Sequence, residues 1–376
     1  MKKISILQIV QAPEGGIRKH ILDILKYLPP EKYELFLLTD IAKGDEPFHD
    51  FLKAHQNIHV KFLNMSMPKK PSLLDFINFF KIYFLVRKYK IQIYHGHGAK
   101  GGLYARVLGF FMRKKVIYTP HGGSLHQVHG VMGFVYFMVE KILSYFTDLF
   151  IFESLYSLNQ FQKNIGAPEK KIFLNYNGIE FIEEKLQKEC AQDEVPIIAA
   201  FGLWRFLKGY DVLIRAAELL KAQGLCFKVK IYGKGEEHQN YRQIIADLAL
   251  EDRVELCLQF GVVEAFMKKA QVVVIPSRHE SFGYVAIEAM ALGIPVIASN
   301  IGGLKEIIQD GQNGFLVPVG NAEILAEKIA QLLHSSVLKE QFQQAGIRTV
   351  TEKFSLASMI KKLDESYEKI LFPLER

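Results

Sequence analysis

Apolar residues along this chain fall into two alternating patterns. Short runs rich in Ile, Val, Leu and Phe, bounded by glycine and polar residues, alternate with longer runs whose apolar positions recur every three or four residues. The first pattern predicts strands buried on both faces, and the second predicts helices that pack one side against them. In the first half, strands are expected at Ile4 to Val10, Leu35 to Leu38, Ile58 to Leu63, Ile91 to His95, Val116 to Thr119, Leu149 to Phe152 and Ile172 to Leu174. Gly15-Gly16 forms the exit turn of the first strand, and Ile17, Ile21, Ile24, Leu25 and Leu28 mark one face of the helix that follows. The pattern then restarts, with strands expected at Ile197 to Phe201, Lys228 to Tyr232, Val254 to Cys257, Val272 to Pro276 and Pro295 to Ala298.

Such alternation predicts an α/β protein of two doubly wound, Rossmann-like domains. The boundary is expected at the turn from Asn175 to Gly178 and the charged stretch from Glu183 to Glu194. That gives an N-terminal domain of residues 1–178 and a C-terminal domain of residues 179–376, with a final helix at 355–372 placed to pack back on the first domain. Open α/β sheets bind ligands beyond the carboxyl ends of their strands, so a cleft between two facing domains is the expected site.

The length of 376 residues accommodates two such domains, and 49% hydrophobic, 23% charged and 12% aromatic residues lie in the range of folded globular chains. Cys190, Cys226 and Cys257 show no paired spacing, which argues against a disulfide framework or zinc cluster and suits a reducing cytosol. Met1-Lys2-Lys3 and the apolar run after it resemble the start of a signal peptide, but Ser5 and Gln8 interrupt the run and no small-residue cleavage site follows. The most apolar stretch, Val131 to Val139, stops at Glu140-Lys141, short of a membrane span.

The net charge of +7 is unevenly placed. Residues 1–178 hold 24 Lys and Arg against 13 Asp and Glu, whereas the remainder holds 23 against 27. Between Asp75 and Glu140 there is no acidic residue, while Lys81, Arg87, Lys88, Lys90, Lys100, Arg106, Arg113, Lys114 and Lys115 all occur. Such a field favours an anionic partner. With no nucleic-acid module present, the better candidate is anionic lipid or a lipid-diphosphate-linked glycan. The helix-period segment from Leu73 to Lys88 is too apolar for a solvated face. Core packing is expected to account for most of it and an interfacial surface for the rest.

His95-Gly96-His97-Gly98-Ala99-Lys100-Gly101 contains the spacing of a dinucleotide fingerprint, yet residues 99–139 lack the acid such a fingerprint needs for the ribose. A nicotinamide or flavin cofactor is therefore not expected, although the glycine-rich turn can approach an acceptor or phosphate. Gly15-Gly16 stands where a helix N-terminus offers N–H groups to an anion, with a plain tight turn as the alternative. Arg205 and Lys208 lie in a loop after a strand and suit a diphosphate, the first as a fork and the second as a point charge. Gly233 and Gly235 can admit a base or ribose to the backbone. In the run from Pro276 to Met290, Glu280 stands in a loop and can accept hydroxyl hydrogen bonds, while Gly283 relieves the turn. N–H groups at Phe282, Gly283 and Tyr284 can cradle an anion or hydroxyl. Glu288, about two turns into the next helix among apolar neighbours, needs a partner.

Taken together these residues resemble the retaining glycosyltransferases of family 4, which have the GT-B fold of two facing Rossmann-like domains. Glu280 to Glu288 matches that family's Glu-x7-Glu motif. Gly293-Ile294-Pro295-Val296, Gly302-Gly303 with Glu306, and Asn313-Gly314-Phe315-Leu316-Val317 follow in family order. The amino half adds Gly15-Gly16 with His20, Thr119-Pro120-His121-Gly122, and Asn177-Gly178-Ile179. The resemblance implies that Glu280 meets the donor sugar, Glu288 the ribose, Lys208 and an arginine the diphosphate, Gly16 the distal phosphate, and His121 the donor sugar. The family's usual arginine after Gly202 is Leu203 here, which leaves Arg205 as the substitute.

No Asp-x-Asp triplet occurs anywhere in the chain. A metal-independent transfer from a nucleotide-sugar, most simply a UDP-sugar, to a glycan or lipid-linked acceptor is the expected activity, with no cofactor and with retention implied by the resemblance. A sugar-nucleotide epimerase of the same fold and a non-catalytic glycan- or lipid-binding module are the alternatives. A cytoplasmic protein, peripheral on the inner face of the membrane, fits these expectations.

Overall fold

The computed structural model describes residues 3–54, 59–68, 72–122, 130–186, 195–258 and 263–372. Met1, Lys2, Cys190 and most of the charged stretch before Glu194 lie outside them. The chain divides into two compact units, one of Met1–Tyr176 with Ser358–Arg376 and the other of Asn177–Ala357.

The first unit is built from β1 (Ile4–Val10), α1 (Gly15–Tyr27), β2 (Tyr33–Thr39), α2 (Glu46–Ala54), β3 (Val60–Asn64), α3 (Leu73–Arg87), β4 (Ile93–His97), α4 (Gly98–Met112), β5 (Lys115–Thr119), α5 (Gly130–Tyr145), β6 (Leu149–Phe152), α6 (Leu155–Asn164) and β7 (Ile172–Leu174). Its sheet is parallel, with strand order β3-β2-β1-β4-β5-β6-β7. The order reverses between β1 and β4, which makes that gap the switch point where open sheets receive ligands. Leu7, Ile9, Phe36, Leu38, Ile82, Tyr94 and Leu108 form the core between the sheet and α3 and α4.

Here β4 runs two residues further than the sequence suggests, because His97 still pairs in register with Val10 and Thr119. The glycine-rich stretch is consequently not a turn. Gly96 lies within the strand and Gly101 within α4, where a side chain at Gly101 would come within 2.2 Å of the Ile9 carbonyl. Close packing of a helix on two strands explains these glycines.

The segment from Leu73 to Lys88 also differs from expectation. Only Asn78, Ile82 and Val86 of α3 are buried, while Leu73, Leu74, Phe76, Ile77, Phe80 and Phe84 are exposed. Core packing therefore explains the smaller part of its apolar residues. Asn175 and Asn177, read from sequence as linker, are buried, and the Asn175 amide donates to the Met359 carbonyl.

The second unit comprises β8 (Ile197–Phe201), α7 (Tyr210–Ala222), β9 (Lys228–Gly233), α8 (His238–Asp247), β10 (Val254–Leu258), α9 (Val263–Met267), β11 (Val272–Ile275), α10 (Tyr284–Ala291), β12 (Val296–Ser299), α11 (Leu304–Ile307), β13 (Phe315–Val317), α12 (Ala322–His334) and α13 (Ser336–Lys353). Its parallel sheet has the order β10-β9-β8-β11-β12-β13, with the switch point between β8 and β11. Strand β13 is not among the strands expected from the sequence, because three residues are too short to stand out as a hydrophobic run. The last helix, α14 (Leu356–Leu371), begins in the second unit and ends in the first. There Tyr367 is buried and accepts a hydrogen bond from Gln8 of β1 at 2.9 Å. Cys226 is exposed and Cys257 half-buried, both as free thiols.

Candidate active site

In the second unit, two loops that leave the sheet at its switch point are joined to each other. The loop after β8 carries Lys208 and the loop after β11 carries Glu280. The Lys208 ammonium meets the Glu280 carboxylate at 2.7 Å, with 28% and 18% of the side chains exposed. Sequence reading assigned both residues to the site but not to each other, since they lie 72 positions apart.

Arg278 holds this arrangement. Its guanidinium donates to both carboxylate oxygens of Asp211 on α7 at 2.7 and 2.6 Å and to the Phe206 carbonyl at 2.9 Å, and it lies over the Phe206 ring. The Arg278 backbone N–H donates to the Leu207 carbonyl, so the two loops are tied by main chain as well. The Asp211 hydrogen bonds raise the guanidinium's pKa above its ordinary value. Neither Arg278 nor Asp211 is assigned a role by the sequence reading.

Below Glu280, the N–H of Gly303 donates to the Glu280 carbonyl at 3.0 Å. Gly302 has φ +57°, and a side chain there would come within 1.8 Å of that same carbonyl. Only glycine supplies that conformation without strain, which gives the Gly302-Gly303 pair its reason.

Several assigned residues take places the sequence did not foresee. Phe282 is buried against Tyr284 and Phe354, so its ring belongs to the core and only its backbone is available to a ligand. Gly283, with φ +122°, precedes α10, and Glu288 is the fifth residue of that helix, one turn in and not two. Glu288 is half-buried, less enclosed than its apolar neighbours imply. Arg205 is exposed at the start of the Lys208 turn. Gly233 and Gly235 lie against the Gly202 to Trp204 loop, where a side chain on either would meet its backbone. Trp204 between them is buried and stacks on His238. The buried Tyr210 hydroxyl has no hydrogen-bond partner among the described residues, and burial first, then Tyr241 and Glu280, push its ionisation well above the usual phenol range.

In the first unit, strand ends at the switch point collect histidines. His97 ends β4, His121 follows β5, and His20 sits on α1, all buried. His121 has φ +53°, an uncommon conformation that turns the chain sharply after Pro120. Its Nδ1 lies 2.8 Å from Glu153, which follows β6, and its Nε2 lies 3.1 Å from His97 Nδ1. His97 continues to Gln8 at 2.7 Å, Gln8 to Tyr367, Tyr367 to His95 at 2.8 Å, and His95 to Thr119 at 2.9 Å. Burial, and then neighbouring histidines, hold His95 and His97 well below the usual imidazole range, so both are neutral.

One nitrogen each from His20, His97 and His121 lies within 4.8 Å of the others, a donor set of transition-metal type that the sequence spacing did not reveal. The centroid separation of His97 and His121 is 5.4 Å, nearly the N···N gap plus two ring radii. His97 Nδ1 and His121 Nε2 thus point at each other as hydrogen-bonded rings do.

At α1, the N–H of Gly15 donates to the Asp45 carboxylate at 3.0 Å, and Arg18 pairs with the same group. A carboxylate of the protein itself therefore occupies the first of the N–H groups that the sequence suggested for an anion; Gly15 and Gly16 are exposed.

These two units, each with its polar cluster at the sheet's switch point, define a GT-B glycosyltransferase architecture. Comparison with known proteins agrees: residues 14–181 match the family described as Glycosyltransferase Family 4, and residues 181–349 match Glycosyl transferases group 1. The chain belongs to the GT-B glycosyltransferases of the family 4 type. It is 28% identical over 364 residues to an uncharacterized glycosyltransferase of Methanocaldococcus jannaschii, covering 95% of each chain. It is 28% identical over 312 residues to CapM, a capsular polysaccharide biosynthesis glycosyltransferase of Staphylococcus aureus, covering 79% of this chain and 82% of CapM. Among solved structures, Anabaena HepE in complex with UDP and glucose superposes with a TM-score of 0.81 at 22% identity, over 97% of this chain and 99% of HepE. A Rickettsia africae glycosyltransferase superposes with a TM-score of 0.81 at 24% identity, over 99% of this chain and all of the other. At those identities the structural likeness speaks for the fold alone.

Among the described residues no helix is long and apolar enough to cross a membrane.

Proposed function

We infer that this glycosyltransferase moves a sugar from a UDP-sugar to a glycan or lipid-linked acceptor in surface polysaccharide or glycolipid synthesis, with retention of configuration and without a metal. The Lys208–Glu280 pair at the switch point carries the reading. An ammonium and a carboxylate in contact there suit the two halves of a nucleotide-sugar, a diphosphate that gains negative charge as it departs and a sugar whose hydroxyls donate hydrogen bonds. Arg205 supplies the second phosphate cation and Glu288 meets the ribose. Gly233, Gly235, Phe282, Gly283 and Tyr284 contribute backbone contacts; of the first-unit residues that the resemblance assigns to the donor, Gly16 keeps its N–H for an anion, whereas Gly15 would have to exchange Asp45 for it and His121 would have to give up its contact with His97.

In this mechanism the acceptor hydroxyl attacks on the face from which the diphosphate leaves, and the departing phosphate takes the proton. Lys208 holds the leaving group's charge, a role that carboxylate-bound divalent ions fill in metal-dependent transferases. The relationship to CapM supports a surface polysaccharide as the product class.

A panel of nucleotide-sugars tested by thermal shift identifies the donor, since a ligand at 100 times its dissociation constant adds about 2.7 kcal/mol of stability. NMR of the product then reads the anomeric configuration, and the same reaction in excess EDTA tests the metal. No stabilisation by any nucleotide-sugar, an inverted product, or a metal-restorable loss of turnover each overturns the corresponding part.

A further inference from the structure

Three neighbouring helices of the first unit turn aromatic and aliphatic side chains to solvent. On α3 these include Phe76, Phe80 and Phe84, the last 64% exposed, and at the end of α4 they are Phe110 and Phe111. On α5 they include Phe134, 67% exposed, and Met138, Ile142 and Tyr145. Ring contacts make the surface continuous, Phe79 of α3 lying 5.4 Å from Phe111 and Phe110 lying 4.7 Å from Phe146 just beyond α5. A contiguous apolar face on this scale marks an interaction surface.

Its charges identify the partner. Lys81, Arg87, Lys88, Lys90, Arg113 and Lys114 around it are exposed. The only acids on the three helices, Asp75 and Glu140, are turned inward, Asp75 to Lys100 and Tyr104 and Glu140 to Arg106. The face is therefore apolar with a cationic rim, in which the nearby carboxylate beyond the helices, Asp148, is paired with Lys115. A second copy of the chain would set that rim against itself, whereas an anionic bilayer matches both the rim and the apolar centre.

We propose that the exposed face of α3, the end of α4 and α5 inserts into the headgroup boundary of an anionic lipid bilayer. Insertion of apolar side chains anchors the unit there and the basic rim selects the lipid. The proposal rests on the lipid-linked acceptor reading for its purpose only, because a bilayer-bound first unit would meet such an acceptor where it resides.

The test is sedimentation of the full chain with vesicles of phosphatidylcholine alone or mixed with phosphatidylglycerol, at low and high salt. Binding is expected to prefer the anionic vesicles and to survive in part at high salt, where surface electrostatics are screened but burial of apolar groups is not. Phe80→Ser with Phe84→Ser, or Phe134→Ser with Met138→Ser, should each weaken binding at least tenfold and remove the salt-resistant part. UDP-induced thermal stabilisation should be unchanged in both variants, which keeps this test separate from the transferase reading. Hydrogen exchange on the unmodified protein adds a readout free of substitution, with protection by vesicles expected in α3 and α5. Absence of vesicle binding, binding that salt abolishes and the variants leave intact, protection elsewhere only, or a dimer that these variants dissociate would each overturn the proposal.

Discussion

Glu280→Gln keeps the size of the side chain and one oxygen to accept from Lys208, but removes the charge. At 2.7 Å, with an effective dielectric of about 20, the bare attraction in the Lys208–Glu280 pair is ~6 kcal/mol. Partial exposure of both groups screens it, and pairs of this kind contribute about 1 kcal/mol net. The variant should therefore lose no more than about 1 kcal/mol of stability. Releasing Lys208 from its internal carboxylate removes a competitor for phosphate, so affinity for UDP should hold or rise by up to about fivefold. Turnover should move the other way and fall at least tenfold, about 1.4 kcal/mol of transition-state stabilisation, because the carboxylate proposed to order the sugar is gone. Calorimetric titration with UDP and initial rates of UDP release in the presence of acceptor give the two numbers. Unchanged turnover would remove Glu280 from the chemistry. Loss of UDP binding in a folded variant would show that the pair does not restrain Lys208.

Lys208→Ala should weaken binding of UDP much more than binding of uridine, and equal losses in titrations of the two ligands would point to a different phosphate site. Arg106 and Glu140 form a buried bidentate pair at 2.8 Å, so Arg106→Met leaves a buried carboxylate without its partner and should cost about 3–5 kcal/mol in urea unfolding, with Glu140→Leu added in the same chain restoring most of it. His95 and His97 have folded pKa values depressed by burial, so the unfolded chain binds more protons as pH falls below about 6.5 and stability drops in that window. The slope reaches about 1.4 kcal/mol per pH unit for each histidine. Melting curves between pH 5 and 7 should show His95→Gln with a shallower loss than the unmodified chain, and parallel curves would refute the assignment.

Strand positions were legible because parallel strands buried on both faces are nearly continuous apolar runs, as Ile4–Val10 and Ile197–Phe201 are. The burial of α3 was not, because a helix apolar on nearly every side has no stripe to show which side faces the sheet. At the site, Glu280 and Lys208 could be chosen from loop position and charge, but their contact could not, since pairing across 72 residues is decided by strand order. The Glu153–His121–His97–Gln8 chain was hidden for the same reason, each member coming from a different strand end or strand. Arg278 was missed because its work is done toward Asp211 and Phe206 and not toward a ligand.

The return of α14 to the first unit sets an order on the birth of the molecule. Residues 177–357 are contiguous and can close as soon as they leave the ribosome, whereas the first unit waits for Tyr367, which bonds both Gln8 and His95. About 190 residues separate Tyr176 from Tyr367, a delay of roughly 10–40 s at about 5–20 residues per second. Throughout that interval two polar strand residues of the nascent sheet lack their hydroxyl partner, and Lys32 lacks Asp364. The unit made first is thus the one completed last, and a chain released after residue 178 would hold an unfinished histidine network.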